Sequence, residues 1–436
     1  MTVTEPIEGY KETEIGVLPD DWDARKLSQL FEIQQGKALA QKHKKGISPH
    51  PFLRTANVFW GRVDLTNIDW MDFTSGEIDK LALRDGDLLV CEGGDIGRTA
   101  IWRGQIDRCC YQNHLHRLRP KDSDAFPLFY MFWMQASILL LGLYVGTGNK
   151  TTIPNLSRGR LSEYLLPLPP LPEQQKISSI LSTIQEAKEK TENVIKATKE
   201  LKKSMMKHLF TYGAVPVEEA ERVPLKETEI GMIPEHWEMV RLEDLITKTK
   251  QMNPENTPDG EFKYIDVSGI NRETLTISDY KSYVGKDAPS RARKLVETGD
   301  VIFATVRPTL KRVALIDENF HGEICSTAFC VLRARRERVL PPFIYHTVSR
   351  ESFIDGLGKI QRGASYPAVT DTDVKRQKIP LPPLNEQEQI VETLTFIDNK
   401  TNAEEFKRRS LDTLFKTLLS LLMTGKLRVK DLEIPV

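Results

Sequence analysis

The sequence predicts an α+β fold with an internal pseudo-twofold repeat, in which two globular mixed α/β domains are separated by two long antiparallel helices. A lead-in segment occurs twice, about 215 positions apart, as KETEIGVLPDDW from Lys11 and KETEIGMIPEHW from Lys226. A proline-rich phrase also recurs, as LPLPPLPEQQKI from Leu166 and IPLPPLNEQEQI from Ile379. Each copy of the phrase precedes a long stretch with helical spacing of apolar residues. Two copies of one unit held apart by helices can contact two separated sites at once.

The composition indicates a globular protein with more than one domain, since the chain has 436 residues, of which 40% are hydrophobic and 28% charged. No apolar stretch approaches the roughly 18 to 20 residues of a membrane span, and the N-terminus does not resemble a signal peptide. The net charge is zero, yet residues 281–338 contain 12 Lys and Arg against 7 Asp and Glu. Five cysteines without a CxxC pair favour free thiols in a reducing cytoplasm and no metal site.

Between lead-in and proline-rich phrase, each unit contains the same predicted elements. A Gly-Asp turn enters an apolar strand, in RDGDLLVCEG from Arg84 and in ETGDVIFATV from Glu297. A second strand ends in Leu-Arg, at residues 118–119 and 332–333. An apolar helix follows, predicted over residues 127–143 and 341–352, and then a polar, glycine-containing loop.

The long helices are predicted over residues 172–212 and 386–424. Pro172 suits a first helical position, and Gly213 and Gly425 supply stop signals. Apolar residues spaced alternately four and three apart predict that the two helices pair through heptad seams. The seams include Val194 and Leu201 in the first helix and Leu394, Ile397, Phe415 and Leu422 in the second. Helices of about 40 residues are about 60 Å long.

The predicted domain boundaries follow from the order of these parts. Residues 1–165 form the N-terminal lead-in with the first mixed domain, and 166–224 the first spacer helix region. Residues 225–378 form the second mixed domain, and 379–436 the second spacer helix region. We also expect the N-terminal lead-in to pack near the end of the C-terminal helix, just as the internal lead-in follows Gly213.

In this order, these motifs resemble the specificity (S) subunit of type I DNA restriction-modification systems over nearly the whole chain. The second region carries the resemblance in DAPSRARKLVETGDVIFATVRPTLKRVALI from Asp287 and ICSTAFCVLR from Ile324. The first carries it in LRDGDLLVCEGGDIGRTAIW from Leu83, YQNHLHRLRP from Tyr111 and GTGNKTTIPNLS from Gly146.

The resemblance implies a cytoplasmic protein without catalysis of its own. Two target-recognition domains would each read half of an asymmetric, interrupted site on double-stranded DNA. The helices would set the spacing and dock two methyltransferase (M) subunits, which use S-adenosylmethionine, and restriction (R) subunits would use ATP and Mg. This chain itself would bind no cofactor and would not associate with a membrane.

Candidate DNA contacts in the first region lie in three polar loops. A basic loop contains Lys42, Lys44 and Lys45, which bind the DNA backbone or form a solvated surface. A glycine-rich loop over residues 92–98 either presents Arg98 to DNA or is a hairpin turn; it lacks the spacing of a phosphate-binding P-loop. The third loop offers Lys150, Thr151 and Thr152.

The second region offers further candidates at corresponding places. Arginine can bind guanine bidentately or contact a phosphate, and structural salt bridges are the alternative. The candidates are Ser290, Arg291 and Arg293, then Arg307, Lys311 and Arg312, and finally Arg362, Ser365 and Tyr366.

Two other functional classes remain open from the sequence. One is a free-standing nucleic-acid-binding scaffold without a methyltransferase partner. The other is a nuclease or methylase with an unrecognised site, although the chain has no methyltransferase, ATP-binding or HExxH motif.

Overall fold

The computed structural model describes residues 8–40, 46–143 and 155–432. The chain divides into two compact units. Unit 1 comprises the residues up to Thr191 and those from Lys407 onward, and unit 2 comprises Glu192–Phe406. Both divisions fall within the long helices. The predicted boundaries at 165, 224 and 378 concern segments rather than compact units, and they stay predictions.

The first half of the chain contains thirteen strands and five helices among its described residues. The strands are β1 (Tyr10–Thr13), β2 (Gly16–Pro19), β3 (Asp23–Lys26), β4 (Phe31–Gln35), β5 (Pro49–Leu53), β6 (Val58–Phe59), β7 (Arg62–Val63), β8 (Asp69–Asp72), β9 (Leu88–Cys91), β10 (Thr99–Ile101), β11 (Cys110–Tyr111), β12 (Leu115–Pro120) and β13 (Leu165–Leu168). The helices are α1 (Leu27–Leu30), α2 (Ser75–Leu81), α3 (Pro127–Leu139), α4 (Arg158–Ser162) and α5 (Leu171–Tyr212).

The second half follows the same plan. Its strands are β14 (Leu225–Thr228), β15 (Gly231–Pro234), β16 (Glu238–Arg241), β17 (Ile246–Thr247), β18 (Glu261–Ile265), β19 (Lys281–Val284), β20 (Ala292–Leu295), β21 (Val301–Ala304), β22 (Val313–Leu315), β23 (Ile324–Ser326), β24 (Phe329–Ala334) and β25 (Lys378–Leu381). Its helices are α6 (Pro341–Val348), α7 (Glu351–Ile360), α8 (Asp371–Lys375) and α9 (Leu384–Met423).

The repeat extends through both sheets of each unit. Unit 1 has a four-stranded antiparallel sheet in the order β10-β9-β12-β4, and unit 2 has the equivalent order β22-β21-β24-β17. A second sheet contains a parallel pair, β5 with β11 in unit 1 and β18 with β23 in unit 2. The predicted α+β fold with an internal repeat is therefore confirmed.

The strands after the Gly-Asp turns lie at the centre of these sheets. All four residues of β9 and all four of β21 are buried, as their continuous apolar sequence predicts for strands covered on both faces. Asp87 of the first turn accepts two hydrogen bonds of 2.7 Å from Arg119. Asp300 accepts bonds of 2.9 and 2.8 Å from Arg333. The Gly-Asp and Leu-Arg motifs thus form one bidentate contact in each unit.

Helices α5 and α9 begin within two residues of the predicted positions and run antiparallel. In unit 1 the Nζ of Lys188 lies 2.5 Å from Asp412, and in unit 2 that of Lys202 lies 2.6 Å from Asp398. The predicted seam of α9 is confirmed at its buried members Leu394, Ile397, Phe415 and Leu422.

The predicted seam of α5 is wrong at Val194 and Leu201. Val194 and Leu201 are 37% and 49% exposed, whereas Ile195 is buried. An α-helix has 3.6 residues per turn rather than the 3.5 of a heptad, so an apolar stripe drifts around a helix that does not supercoil fully.

The apolar helices also end earlier than predicted. The first stops at Leu139 instead of 143, before Gly142, whose φ is +63°. The second stops at Val348, because Arg350 has an extended backbone (φ −68°, ψ 146°) and starts the separate helix α7.

Lead-in and proline-rich phrase meet in one joint per unit, here called joint 1 and joint 2. In joint 1, β3 pairs antiparallel with β13, and in joint 2, β16 pairs with β25. The indole of Trp22 donates a hydrogen bond of 3.0 Å to Glu173, at the start of α5. Trp237 donates one of 2.8 Å to Glu386, at the start of α9. The Trp and Glu of the repeated phrases are therefore partners.

The prediction that the N-terminal lead-in packs at the end of the C-terminal helix is confirmed. The hydroxyl of Tyr10 donates a hydrogen bond of 2.9 Å to the carbonyl of Gly425. Gly425 also lies against Pro19 and the ring of Trp22, where a Cβ would clash. Gly213, at the end of α5, also lies beside the Trp of its joint, but an added Cβ would be 3.6 Å from Trp237 and would not clash with it.

The two joints differ in the third group that binds the buried glutamate. In joint 1, Arg428 donates two bonds of 2.8 Å to Glu173 and one of 2.7 Å to Asp21. In joint 2, Glu386 instead contacts the exposed His236 at 2.7 Å. Joint 1 therefore holds an arginine between two carboxylates, whereas joint 2 holds one more exposed histidine–carboxylate contact.

Candidate nucleic-acid interface

Four segments of unit 2 lie side by side where β21 ends. Thr305 donates two hydrogen bonds, from N and from Oγ1, to the carbonyl of Ala328 at 2.8 and 2.9 Å. Its own carbonyl accepts from the backbone N–H of Val369 at 2.9 Å. The N–H of Thr327 donates to the carbonyl of Arg291 at 2.8 Å. We call the surface formed by residues 289–291, 305–312, 327–328 and 361–369 the strand-end edge of unit 2.

Arg307 occupies the centre of this edge in a strained conformation. Its φ of 50° and ψ of 58° are left-handed, as are those of Lys311, on either side of the short 3₁₀ turn Pro308–Leu310. Such conformations cost non-glycine residues roughly 1 kcal/mol or more and cluster at functional sites. The N–H of Arg307 donates to the carbonyl of Pro367 at 2.6 Å, which holds the turn in place.

The turn sets the guanidinium of Arg307 over an exposed aromatic ring. Its Cζ lies 4.8 Å from the ring centroid of Tyr366, and Nη2 donates a hydrogen bond of 3.3 Å to the carbonyl of Ser365. Tyr366 is 71% exposed. Three residues from two separately predicted loops thus form one cluster with a cation and a planar face open to solvent.

The loop carrying Tyr366 is closed by a β-bridge between Arg362 and Ala368. Gly363 has a φ of +97° within this loop, a conformation that favours glycine. The guanidinium of Arg362 lies 3.3 Å from Asp373, but its side chain is 70% exposed. Arg362 therefore remains accessible to a phosphate.

Two other cationic candidates of unit 2 make internal contacts. Arg293 donates to the carbonyl of Ala292 at 2.9 Å, and Lys311 lies 3.5 Å from Glu351. Ser290 and Arg291 line a cleft with three tyrosines, two aspartates and a lysine, namely Tyr264, Tyr280, Tyr283, Asp266, Asp279 and Lys281. DNA contact by these four candidates stays a prediction.

Arg98 in unit 1 and Arg312 in unit 2 make equivalent hydrogen bonds, each within its own unit. Arg98 donates a hydrogen bond of 3.1 Å to the carbonyl of Thr55, and Arg312 donates one to that of Val267. Each carbonyl belongs to the first residue of an equivalent 3₁₀ turn. The side chain of Arg98 is only 14% exposed and also contacts Asp95. These arginines have a structural role whether or not they also contact DNA.

The remaining candidates of unit 1 lie outside the described ranges. They are Lys42, Lys44 and Lys45 of the basic loop and Lys150, Thr151 and Thr152 of the later one. Their DNA contacts stay predictions.

Glu92 in unit 1 is structurally equivalent to Thr305 in unit 2. This equivalence was not predicted from the sequence. The N–H of Glu92 donates to the carbonyl of His114 at 2.9 Å, and its carbonyl accepts from Leu156 at 2.8 Å, as in the backbone pattern around Thr305. Counting five residues from each Gly-Asp aspartate would have aligned the two. The equivalent strand ends therefore carry a carboxylate in one unit and a hydroxyl in the other.

His116 lies beside this carboxylate on strand β12. It is fully buried, and its Nε2 is 3.7 Å from Glu92. Burial lowers the pKa of His116, and the opposing effect of Glu92 is smaller. The imidazole is therefore neutral at pH 7.

The described residues also bear on metal binding, thiol reactivity and membrane spanning. Their histidine, cysteine, aspartate and glutamate side chains form no group of three or more that could hold a metal ion. The five cysteines are buried free thiols, and burial raises the pKa of each. Within the part of the chain that the structure describes, none of the helices combines the length and apolarity needed to cross a bilayer.

Comparison with known proteins agrees with the duplicated architecture. The type I restriction modification DNA specificity domain matches this chain twice, at residues 19–200 and 234–411. Two proteins of Methanocaldococcus jannaschii are similar over nearly their full length. One is assigned as the specificity subunit of the MjaX type I restriction enzyme; it is 28% identical, with 97% of each chain covered. The specificity subunit of the MjaVIII enzyme is 26% identical, covering 98% of this chain and 97% of its own.

The fold is also that of a solved specificity subunit. The crystal structure of the type I restriction-modification S subunit from M. genitalium superposes with a TM-score of 0.59 at 16% sequence identity. The superposition covers 92% of this chain and 96% of that one. Since the family match spans both units, the chain belongs to the type I restriction modification DNA specificity family.

Proposed function

We propose that this chain reads double-stranded DNA for a type I restriction-modification enzyme, and that each unit reads one half of an asymmetric, interrupted site. The observation that carries the proposal is the difference between the two strand-end positions. Both units share the sheet order, the Asp–Arg contact and the equivalent arginine hydrogen bond, yet one presents Glu92 where the other has Thr305. Two units with the same fold but different residues at the strand ends would read different half-sites. A symmetric dimer would instead read a palindrome.

The remaining roles belong to partner subunits and to the long helices. We propose that the helices set the distance between half-sites and dock two M subunits. These would supply S-adenosylmethionine chemistry, and R subunits would bring ATP and Mg. Because the proposed partners are DNA and DNA-modifying proteins, the proposed site of action is the cytoplasm. A chain of zero net charge can bind DNA if the M subunits contribute to the contacts with the phosphates.

Long-read sequencing of host DNA tests the proposal directly. A host expressing this chain with its neighbouring methyltransferase is compared with one that lacks only this chain. We expect new methyladenine at a single asymmetric, interrupted motif. A stable complex with the methyltransferase that produces no new methylation would favour the scaffold alternative.

Replacing Arg307 by alanine should weaken DNA binding by about 1 to 3 kcal/mol, because its exposed guanidinium, set over the ring of Tyr366, is accessible to a base or a phosphate. Affinity is measured with the assembled complex at several salt concentrations. A phosphate contact would reduce the salt slope by about one on all DNA, and a base contact would relax one position. The matched control is Arg241→Ala in β16, whose side chain is 57% exposed. Equal affinities for both variants and the wild type would exclude Arg307 from the interface.

Adding one heptad to each long helix should lengthen the gap between half-sites. Seven residues add about 10 Å of helix. They also make almost two full turns, so the apolar seam still points toward the partner helix. At about 3.4 Å per base pair, the gap should grow by about three base pairs, with both half-sites unchanged. The insertions are placed opposite each other, and methylated motifs are mapped. Methylation with the original gap would show that the helices do not set the spacing.

A further inference from the structure

In unit 1, the carboxylate of Glu92 directly after β9 is held with one oxygen engaged. Oε2 accepts a hydrogen bond of 3.2 Å from Gln35 and lies 3.7 Å from His116. Among the described residues, Oε1 accepts none. The side chain is 15% exposed, so it is largely enclosed yet reaches solvent. This is a fixed acceptor rather than a freely rotating surface group.

The negative charge of Glu92 has no close compensation in the described ranges. Gln35 is neutral, and His116 is neutral at pH 7 because burial lowers its pKa. Within 4.0 Å, His116 is the only potential cation among these residues. Arg158 at the start of α4 lies near enough to His116 to lower its pKa as well, but forms no ion pair with Glu92. Oε1 can therefore accept a hydrogen bond from a donor outside the chain.

DNA offers few groups that a carboxylate can contact favourably. Phosphates repel it, and guanine N7 and O6 and thymine O4 are all acceptors in the major groove. Cytosine presents its N4 amino group there as a donor without a neighbouring acceptor on the same base. Adenine presents N6 as a donor, but its N7 acceptor lies beside it. Cytosine is therefore the base that fits an unprotonated glutamate best.

We propose that Glu92 is a specificity-determining residue that reads a cytosine by accepting a hydrogen bond from its N4 amino group in the major groove of one half-site. Gln35 is a positioning residue whose hydrogen bond fixes Oε2 and leaves Oε1 for the base. The inference rests on the proposed function, in which the strand-end edges face DNA. Thr305 at the equivalent place gives the other half-site no such requirement.

The first test maps methylation by a complex carrying Glu92→Gln. The cytosine requirement should relax at one position of one half-site, with adenine newly accepted there because glutamine binds adenine bidentately. The preference at that position should fall by about one to two orders of magnitude, and the other half-site should not change. Glu163→Gln is the matched control: it makes the same chemical change in unit 1 at a side chain that is 64% exposed, and it should leave the motif intact. An unchanged motif for Glu92→Gln overturns the proposal.

The second test does not depend on the variant folding well. The wild-type complex is bound to duplexes in which each cytosine of the mapped site, in turn, carries an N4-methyl group. Binding should weaken at one cytosine of one half-site, because the methyl group replaces the donated hydrogen. No such cytosine would overturn the proposal. If the wild-type complex methylates no defined motif at all, the proposed function itself has failed, which separates the two outcomes.

Discussion

Replacing Glu173 by glutamine should lower the free energy of unfolding by about 3 kcal/mol, the scale expected when one member of a buried ion pair is removed. The side chain of Glu173 is 2% exposed and binds Arg428, Trp22 and the backbone of Val429. Without the Glu173 carboxylate, the partly buried Arg428 keeps Asp21 as its remaining carboxylate partner. We expect the loss in denaturant unfolding and in faster hydrogen exchange over β3 and β13.

The equivalent change in joint 2 is the internal comparison. Glu386 is 22% exposed, and its partner His236 is 54% exposed, so Glu386→Gln should cost only about 1 kcal/mol. The exposed Glu163, 64% exposed in its pair with Lys26, provides a near-zero control as Glu163→Gln. Equal losses at Glu173 and Glu386 would contradict the ranking of the joints.

Joint 1 should also weaken in acid. Burial raises the pKa of Glu173, but the hydrogen bonds from Arg428 and Trp22 outweigh it and hold the pKa below its ordinary value of 4.5. A lowered pKa gives stability that is present above pH 4.5 and is lost as the pH falls through the folded-state value. The stability difference between wild type and Glu173→Gln should therefore be constant near neutrality and shrink below pH 4.5. A difference that does not change down to pH 3 would argue against a charged Glu173.

Replacing Asp87 by alanine should destabilise unit 1 by about 3 to 5 kcal/mol. Asp87 is 1% exposed and receives both hydrogen bonds of Arg119 as well as one of 2.7 Å from the N–H of Arg84. Without it, a partly buried guanidinium loses its bidentate acceptor and the turn before β9 loses its anchor. Unfolding curves of the single variants Asp87→Ala and Arg119→Ala and of the double variant measure the coupling.

The same change in unit 2, Asp300→Ala, should cost less. Arg333 has a second acid, Glu297, at 2.7 Å, whereas the corresponding residue in unit 1 is Arg84. We therefore expect the loss at Asp300 to be smaller by about 1 kcal/mol. A larger loss at Asp300 than at Asp87 would show that Glu297 does not compensate.

Local and repeated features of the fold were readable from the sequence. The lead-in and proline-rich phrase carry the same Trp and Glu in both copies, and these side chains bind each other in both joints. The helices α5 and α9 follow from apolar spacing and glycine stops, because helical hydrogen bonds are local. Val194 was misassigned because the helix repeat differs from the heptad over several turns.

Contacts between distant segments were not readable in the same way. Arg98 looked like a surface cation but binds a carbonyl 43 residues earlier in the chain. Nothing local in a sequence states that a guanidinium will meet a backbone oxygen across a sheet. The cluster of Arg307 and Tyr366 was predicted only as two separate loops, since the bridge that unites them depends on the pairing of Ala368. Glu92 was not among the predicted DNA contacts, because a carboxylate repels the phosphates of DNA.

The closing of the N-terminal lead-in onto Gly425 has a consequence for the order in which the chain folds. Tyr10 and Gly425 are 415 residues apart, whereas unit 2 is one continuous segment. During synthesis, at about 5 to 20 residues per second, the lead-in waits roughly 20 to 80 seconds for its partner helix end. All segments of unit 2 are therefore synthesised before the last segment of unit 1, although unit 2 begins later in the sequence. Until then Trp22 and its apolar neighbours lack part of their cover, which makes this interval a natural point for chaperone binding.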